Sequence, residues 1–343
     1  MVIEVDGGTI TLQPLPSSPM TGPTSYYELN LDPGAGVAMT APLALPKKEN
    51  FTMDDKSLPT SHVSDPGESA DVERNFEEIA FKLYACVFSW DIEKSLQFAL
   101  FRTYAVPEIS ALLAATREFE TRPRKRYDDT ELILAEAIEN GLDSPKGQRS
   151  IARMNAMHAR YRIDNDDKIY VLSTFVCEPI RWLDRFGHRS MTESEKQAWF
   201  LYYRALGERM EIRNLPENLA DMMHWNETYE AERFRFAESN TRIASATRDL
   251  FLSFYAPRWL NWAGRPVINA LLDEALIDSM GFTAPPNWLR GTVLAGLRLR
   301  ARVLRWLPQR RTPRRLTQLP RPTYPEGYKI EELGTFRRRG EAN

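Results

Sequence analysis

One histidine lies on the apolar face of a predicted helix, just before a turn that carries paired acids. His158 shares helical spacing with Ile151, Met154 and Tyr161, so its imidazole points inward among three apolar side chains. An inward imidazole can serve a functional site, or it can pack as a hydrogen-bonded core residue. The spacing alone favours the core residue and names no cofactor.

The helix that follows this acidic turn is predicted to be buried on most sides. Asn165 or Asp166 can cap its start, and its body, Ile169 to Cys177, is apolar nearly all round. Pro179 has no N–H, so it should kink the helix and leave the Phe175 carbonyl without its usual partner. Kinks of this kind often border ligand pockets. The two helices together are the best candidate for a chemical centre.

Three blocks of sequence, in a fixed order along the chain, carry a family signature. The first block is Arg153-x-x-x-x-His158-x-x-Tyr161, followed by Asn165-Asp166-Asp167-x-x-Tyr170 and Glu178-Pro179-Ile180-Arg181-Trp182; the second covers residues 237–249 and the third residues 285–308. In this order the three blocks resemble the MpaB-type oxygenases, relatives of the bacterial latex-clearing proteins, over about residues 70 to 335.

The resemblance implies an all-α fold holding a b-type haem iron. It implies an oxygenase that uses dioxygen to oxidise or cleave a lipophilic, isoprenoid-bearing small molecule, in secondary metabolism. A haem needs a neutral imidazole, apolar walls and cationic groups for its propionates. We therefore expect catalytic roles for Arg153, His158 and Asp166, iron ligation by His158, and cofactor contacts from His158, Arg153, Tyr161, Leu172 and Phe175.

One departure from the family pattern concerns the iron ligand. In the latex-clearing relatives the proximal histidine lies on the second helix, where this chain has Leu172-Ser173-Thr174-Phe175. Either His158 on the first helix is the ligand, or His188 or His224 replaces it. His62 lies in a predicted amino-terminal arm and is the least suited. The missing histidine also supports an alternative, a helical protein that binds a hydrophobic ligand or partner without turnover.

Other chemistry has weaker support in the sequence. Asp166 and Asp167 resemble the start of a terpenoid-synthase magnesium clamp, but Tyr170 stands where a further carboxylate is required. No HExxH, GxSxG, GxGxxG or Walker lysine motif occurs, which disfavours a haem-free metal enzyme or a hydrolase. A polar junction from Glu227 to Asn240 is explained better by helix capping and packing than by substrate contact.

Composition limits the partners and the location. The chain has 343 residues and a formal charge of −2, which argues against general nucleic-acid binding. Cys86 and Cys177 suggest neither a disulfide framework nor a thiolate metal site.

We see no secretory signal and no transmembrane span, and expect a cytoplasmic protein or one attached peripherally to an internal membrane. A carboxyl-terminal helix, Trp288 to Leu307, combines apolar and arginine side chains that fit a membrane surface or, alternatively, a core-packing helix with a solvated rim.

The elements that position these residues are predicted to be helices. Residues 1–69 are read as a disordered or loosely packed arm, in which residues 2–5 could instead pair as a small strand. Residues 70–310 form a single all-helical domain of nine or ten helices, and residues 311–343 form a basic irregular tail. Thr121 to Asp129 is predicted to be a solvated, charged loop. Helix signals include Pro107 in a first turn, Gly141 after a last turn, and a capping box from Thr192 to Glu195.

Overall fold

The computed structural model describes residues 2–5, 8–14, 27–31, 66–308 and 310–334. Residues 1–62 and 63–343 form two separate units. In the first unit, strands β1 (Val2–Val5), β2 (Gly8–Pro14) and β3 (Tyr27–Leu31) form an antiparallel sheet in the order β1-β2-β3. The small strand considered for residues 2–5 is therefore present. The remainder of the predicted arm up to residue 65, including His62, lies outside the described residues.

In the described part of the second unit the regular elements are helices, apart from an isolated β-bridge between Arg321 and Tyr324, which confirms the predicted all-α fold. One π-helical turn, Leu83–Val87, and three short 3₁₀ turns, Arg258–Leu260, Leu316–Gln318 and Ile330–Glu332, accompany the α-helices. The α-helices are α1 (Pro66–Lys82), α2 (Ser89–Tyr104), α3 (Pro107–Thr116), α4 (Glu118–Thr121), α5 (Pro123–Asn140), α6 (Pro145–His158), α7 (Asn165–Phe186), α8 (Glu193–Arg209), α9 (Leu219–Arg233), α10 (Glu238–Ser253), α11 (Asn261–Asn269), α12 (Glu274–Met280) and α13 (Asn287–Leu304).

Local sequence signals explain several helix ends. Pro107 occupies the first turn of α3, and Gly141 with φ of 89° follows α5. Thr192 and Glu195 form the predicted capping box of α8, each side chain bonded to the other residue's backbone N–H. The start of α7 differs from the prediction, because its cap is Asp164, whose carboxylate accepts from the Asn165 N–H at 2.8 Å. Asn165 and Asp166 are already inside the helix.

The charged stretch before Asp129 is not a loop, contrary to the prediction. α5 begins at Pro123, and the acids Asp128 and Asp129 are 0% and 3% exposed. Each acid pairs with a base one helical turn earlier, Asp128 with Arg124 and Asp129 with Lys125. The loop prediction was wrong because the sequence does not show which distant residues pair with these charges.

Those partners come from the carboxyl-terminal tail. Arg321 and Thr323 contact Asp128, and Tyr324 donates to Asp129. Further along α5, Glu139 accepts from the Leu316 N–H at 2.6 Å. Residues 314–334 therefore cover α5 and part of α6, and residues 335–343 lie outside the described part of the chain.

α7 is the central helix of this unit, in agreement with its apolar sequence. It packs against α2, α8, α9 and α13. Pro179 lies within it, and the Phe175 carbonyl that proline leaves without a donor accepts instead from the Trp199 indole of α8 at 3.1 Å. Within residues 66–308 and 310–334, no single helix is long and apolar enough to cross a membrane; α2 and α3 pass that test jointly, but they are bent by 101°.

Candidate active site

His158 is the last residue of α6, and its side chain is largely shielded from solvent. The same helix buries Ile151 and Met154, so the predicted apolar stripe faces the core at these two residues, but its last member, Tyr161, lies beyond the helix and is 40% exposed. Burial, followed by the nearby charges of Arg126 and Lys168, lowers the pKa of His158 to about 4. The imidazole is therefore neutral near pH 7. It makes no hydrogen bond to any side chain or backbone group that the structure describes.

The other predicted catalytic residues make contacts of their own or are exposed. The Arg153 guanidinium donates to the Leu333 carbonyl of the tail at 2.7 Å. Tyr161 is 40% exposed in the turn after α6, and Asp166 is exposed in the first turn of α7. The side chains that act on His158 are instead Arg126 of α5 and Lys168 of α7. Sequence reasoning named neither of these two cations.

The predicted walls of a cofactor slot contact α8. Leu172 is 3% exposed, and a Cβ added at Gly207 would lie 2.5 Å from its Cδ2 atom. The Phe175 ring is partly exposed, with its centroid 6.0 Å from that of Tyr203. Leu172 and Phe175, both in the stretch where the relatives' histidine was expected, are thus packed against α8.

A second polar centre lies between α2, α7 and α9, and the sequence analysis missed it. Arg102 forms a two-pronged ion pair with Glu230, in which its Nε atom lies 2.7 Å from Oε1. The same guanidinium is 2.7 Å from Asp273 and 3.5 Å from Glu178. Both members of the main pair are shielded, with side chains 14% and 9% exposed. Burial by itself would lower the pKa of Arg102, but the hydrogen bond to Glu230 and the neighbouring acids raise it.

Residues of the family signature on α7 complete this centre. The Tyr170 hydroxyl donates to Glu230 at 3.1 Å, and Arg181 donates to Glu178 at 2.9 Å and to Asn226 at 2.8 Å. Burial, then the Glu230 charge, raises the pKa of Tyr170, so its proton stays on the phenol. We call this set the buried charge network; it consists of Arg102, Tyr170, Glu178, Arg181, Asn226 and Glu230.

The network fixes the donors and acceptors of three helices in one arrangement. Arg102 is far from the motif in sequence, so periodicity could not place it there. Glu230 lies in the polar stretch from Glu227 to Asn240, which was explained by capping and packing. The usable signal was the helical spacing of Tyr170, Glu178 and Arg181, which puts their polar atoms along adjoining faces of an otherwise apolar helix.

A cavity of about 460 Å³ borders the network. Its lining includes Asp273, which pairs with Arg102, and the side chains of Arg185, Leu272, Arg290 and Leu294. Asp273 also caps α12 by accepting from the Leu276 N–H at 3.0 Å. The cavity therefore contacts the network at Asp273, whose carboxylate is held by Arg102 and by the Leu276 N–H.

A haem, which the resemblance implies, can be compared with these residues. The neutral imidazole of His158 suits an iron ligand, and Arg126 and Lys168 suit propionates. Leu172, packed on α8, does not line an open slot. In the described part of the chain no three or more His, Cys, Asp or Glu side chains form a metal cluster, but a haem requires no such cluster. The described residues therefore match the iron ligand and the propionates of a haem, but Leu172 does not supply the predicted slot wall.

The other histidines differ in how well they suit a ligand role. His188 follows α7, with its ring centroid 5.0 Å from that of Phe88. Its Nε2 atom is buried without a hydrogen-bond partner among the described residues, and burial, then Arg189, lowers its pKa. His224 is exposed on α9. His188 is thus the second candidate for an iron ligand, and His224 is a poor one.

Comparison with known proteins assigns the class of this domain. Residues 96–306, more than half of the chain, match the family described as ER-bound oxygenase mpaB/B'/Rubber oxygenase, catalytic domain. The chain belongs to this family, which confirms the resemblance drawn from the motifs. The matched region contains α6, α7 and the whole buried charge network.

Similar proteins come from two Penicillium species. The chain is 30% identical over 212 residues to the ER-bound oxygenase mpaB' of Penicillium brevicompactum, covering 56% of this chain and 50% of that protein. It is 27% identical over 212 residues to the ER-bound oxygenase mpaB of Penicillium roqueforti (strain FM164), covering 56% and 70%. The mpaB of Penicillium brevicompactum is 33% identical over 155 residues, covering 40% and 39%. The chain thus matches half the length of the first of these relatives.

Proposed function

We propose that this protein is a haem-dependent oxygenase that uses dioxygen to oxidise or cleave a lipophilic, isoprenoid-bearing small molecule. Membership of an oxygenase family supports the reaction class. The observation that carries the haem assignment is the partly buried imidazole of His158, whose pKa is lowered to about 4 by burial and by the charges of Arg126 and Lys168. We further propose a role in secondary metabolism, in the cytoplasm or attached peripherally to an internal membrane; "ER-bound" is part of the relatives' names.

In this proposal, His158 presents an unprotonated nitrogen, because its lowered pKa keeps the proton off at physiological pH. Arg126 and Lys168 attract the cofactor's carboxylates and orient it. Haem, when bound, supplies an iron that activates dioxygen. Arg153 and Asp166 keep their predicted catalytic roles, and Tyr161, Leu172 and Phe175 their predicted cofactor contacts, as proposals.

The buried charge network has a positioning role in the same proposal. Arg102 pairs with Glu178 and Glu230, Arg181 pairs with Glu178, and the Tyr170 hydroxyl donates to Glu230. These bonds hold α7 in register with α2 and α9. Any shift of α7 would move the start of the helix, where Lys168 lies near His158. We infer that the network maintains the geometry around the imidazole without touching substrate.

The test is an absorption spectrum and a haem assay of protein purified from haem-replete cells. We expect a Soret band, and we expect His158→Ala to lose haem and turnover together while helical content by circular dichroism is retained. His224→Ala is the matched control, since its imidazole is exposed, and it should keep full occupancy. Retained haem in His158→Ala with loss in His188→Ala would assign the ligand to His188 instead.

A second function, non-catalytic binding of a hydrophobic ligand or partner, is favoured by one observation. The stretch Leu172 to Phe175, where a proximal histidine was expected, contains no histidine, and Leu172 is packed against Gly207. Purified protein that shows no Soret band, even after hemin addition, would overturn the oxygenase proposal and support this one. A lipophilic isoprenoid that raises the melting temperature of such haem-free protein would identify the kind of ligand.

A further inference from the structure

The tryptophans of this protein divide into two groups of four. Trp90, Trp182, Trp199 and Trp225 are buried or partly buried. The other four are 71% to 89% exposed, and all of them lie between residues 259 and 306. Exposed indoles are costly in water unless another phase or partner covers them. The exposed group comprises Trp259, Trp262, Trp288 and Trp306.

The exposed group lies on α11, its preceding turn, and α13, and these two helices are in contact. α13 buries Ala301 toward the protein, while Trp288, Leu299 and Val303 are 71%, 59% and 52% exposed. These three residues, with Ala295, recur at helical spacing and so form one outward stripe. Trp306 continues the stripe just beyond the helix end. We call Trp259, Trp262, Trp288, Leu299, Val303 and Trp306 the tryptophan face.

The stripe extends along the length of α13. Trp288 and Val303 are separated by fifteen positions, and at 1.5 Å per residue this places their Cα atoms about 22 Å apart along the axis. Trp306 follows in the turn after the helix, where its N–H donates to the Val303 carbonyl at 3.1 Å. A flat surface laid against α13 would therefore touch an indole at each end of the helix.

Charge around this face has one sign. Between Asp278 and Glu326 the sequence contains ten arginines, no lysine and no acid. Arg300 and Arg314 pair with Asp91 and Glu93 elsewhere in the fold. Arg298, Arg302 and Arg305 are exposed, follow one another at helical spacing beside the stripe, and form no ion pair with any acid that the structure describes. They make one flank of the tryptophan face cationic.

We propose that the tryptophan face docks on the surface of an anionic lipid bilayer, with α13 lying parallel to the membrane plane. Indole rings prefer the level of lipid headgroups, and arginines beside them attract anionic lipids at about 1 kcal/mol each. A helix with an apolar face and a basic flank is the usual form of such an interfacial anchor. This inference does not depend on the oxygenase proposal.

A second copy of the chain is a poorer occupant of this face. A two-fold dimer brings the same surface of both chains together. Arg298, Arg302 and Arg305 of one copy would then approach those of the other, with no acid between Asp278 and Glu326 to neutralise them. Like charges at such an interface oppose association. Anionic lipid supplies the opposite charge and an apolar layer together.

Vesicle flotation of the full-length protein tests the proposal. We expect the protein to float with phosphatidylcholine vesicles that contain phosphatidylserine, to float poorly with phosphatidylcholine alone, and to be released by salt. Replacing all four exposed tryptophans with Ser should lower partitioning at least tenfold. Replacing Arg298, Arg302 and Arg305 with Gln should lower it on the order of a hundredfold. Phe236→Ser, at a 60% exposed aromatic outside the face, is the matched control and should float normally.

Folding and assembly are measured on the same samples by circular dichroism and light scattering. Quenching of tryptophan fluorescence by brominated lipid should occur in the parent protein and be lost in the four-tryptophan variant. A folded parent protein that stays in the soluble fraction with anionic vesicles would overturn the proposal. A dimer that separates into monomers when the four tryptophans are replaced, without flotation of the parent, would assign the face to a second copy instead.

Discussion

The buried charge network and the tryptophan face both place side chains in the environment that their chemistry disfavours. In the network, charged groups are removed from water, and each acid has an arginine within 3.5 Å. On the tryptophan face, four indole rings are 71% to 89% exposed. The first region is completed by the fold, whereas the second is completed, in the proposal above, by a lipid surface. Buried and paired charges therefore mark residues that stabilise the fold, whereas exposed indoles mark residues proposed to contact a membrane.

The largest expected effect comes from breaking the network at its centre. Arg102→Ala leaves the buried Glu230 without its main partner and Glu178 with Arg181 alone, so the free energy of unfolding should fall by about 3–5 kcal/mol. Chemical denaturation measures it. Arg265→Ala is the control, since it breaks an ion pair with Asp249 in which both side chains are more exposed, 46% and 31%, and should cost at most about 1 kcal/mol.

A milder variant covers the case in which Arg102→Ala fails to fold. Tyr170→Phe removes the hydroxyl that donates to Glu230 and keeps the ring stacked on Tyr229, at 4.5 Å between centroids. Its expected cost is about 1 kcal/mol. A Tyr170→Phe variant as stable as the parent protein, or an Arg102→Ala variant that loses no more than Arg265→Ala, would contradict the view that the fold depends on this network.

The network also indicates where prediction from sequence stopped. Tyr170, Glu178 and Arg181 were identified in the family signature, because local spacing and motif order are properties of the sequence. Arg102 and Glu230 were not, because their bond joins positions separated by 128 residues. Helix type and the Thr192 cap depend on neighbours within one turn. Ion-pair partners depend on how α2, α7 and α9 cross.

The same reason explains the error at α5 and the partial success at His158. Charges before Asp129 looked solvated because their partners Arg321 and Tyr324 lie in the tail. His158 was predicted to face inward from its spacing, and it does. Its cationic neighbours Arg126 and Lys168 come from other helices, so the sequence could not indicate them. Only the α13 part of the tryptophan face was predicted, as a helix from Trp288 to Leu307 with apolar and arginine side chains. Which side chains of the face remain exposed depends on packing.

His158 gives an intermediate effect, because it is a shielded polar group that carries no charge. Its pKa is lowered from 6.5 to about 4, so the unfolded chain binds the proton more readily than the folded protein does. Stability from this group is complete above pH 6.5 and is lost as the pH falls from 6.5 toward 4. The loss should be at most about 3 kcal/mol.

The measurement is the free energy of unfolding against pH for the parent protein and His158→Gln. Carboxylates titrate in both proteins, so their contribution cancels in the difference between the two curves. The parent should lose more stability than the variant between pH 6.5 and 4. Parallel curves would show that the His158 imidazole is solvated, which would also weaken its assignment as an iron ligand.

The smallest expected effect is at the tryptophan face, and it gives the sharpest contrast with the interior. Trp306 is 89% exposed, so Trp306→Ser should change the free energy of unfolding in solution by less than about 0.5 kcal/mol. Trp199 is fully buried and donates to the Phe175 carbonyl, so Trp199→Ala should lower the free energy of unfolding by about 3–5 kcal/mol.

Denaturation of both variants, without and with anionic vesicles, tests whether the exposed ring acts through an external partner. Vesicles should stabilise the parent protein, because they bind the folded state alone, and should stabilise Trp306→Ser less. A large loss of stability in Trp306→Ser without vesicles would mean that the indole packs within the protein, and the contrast between the two regions would then fail.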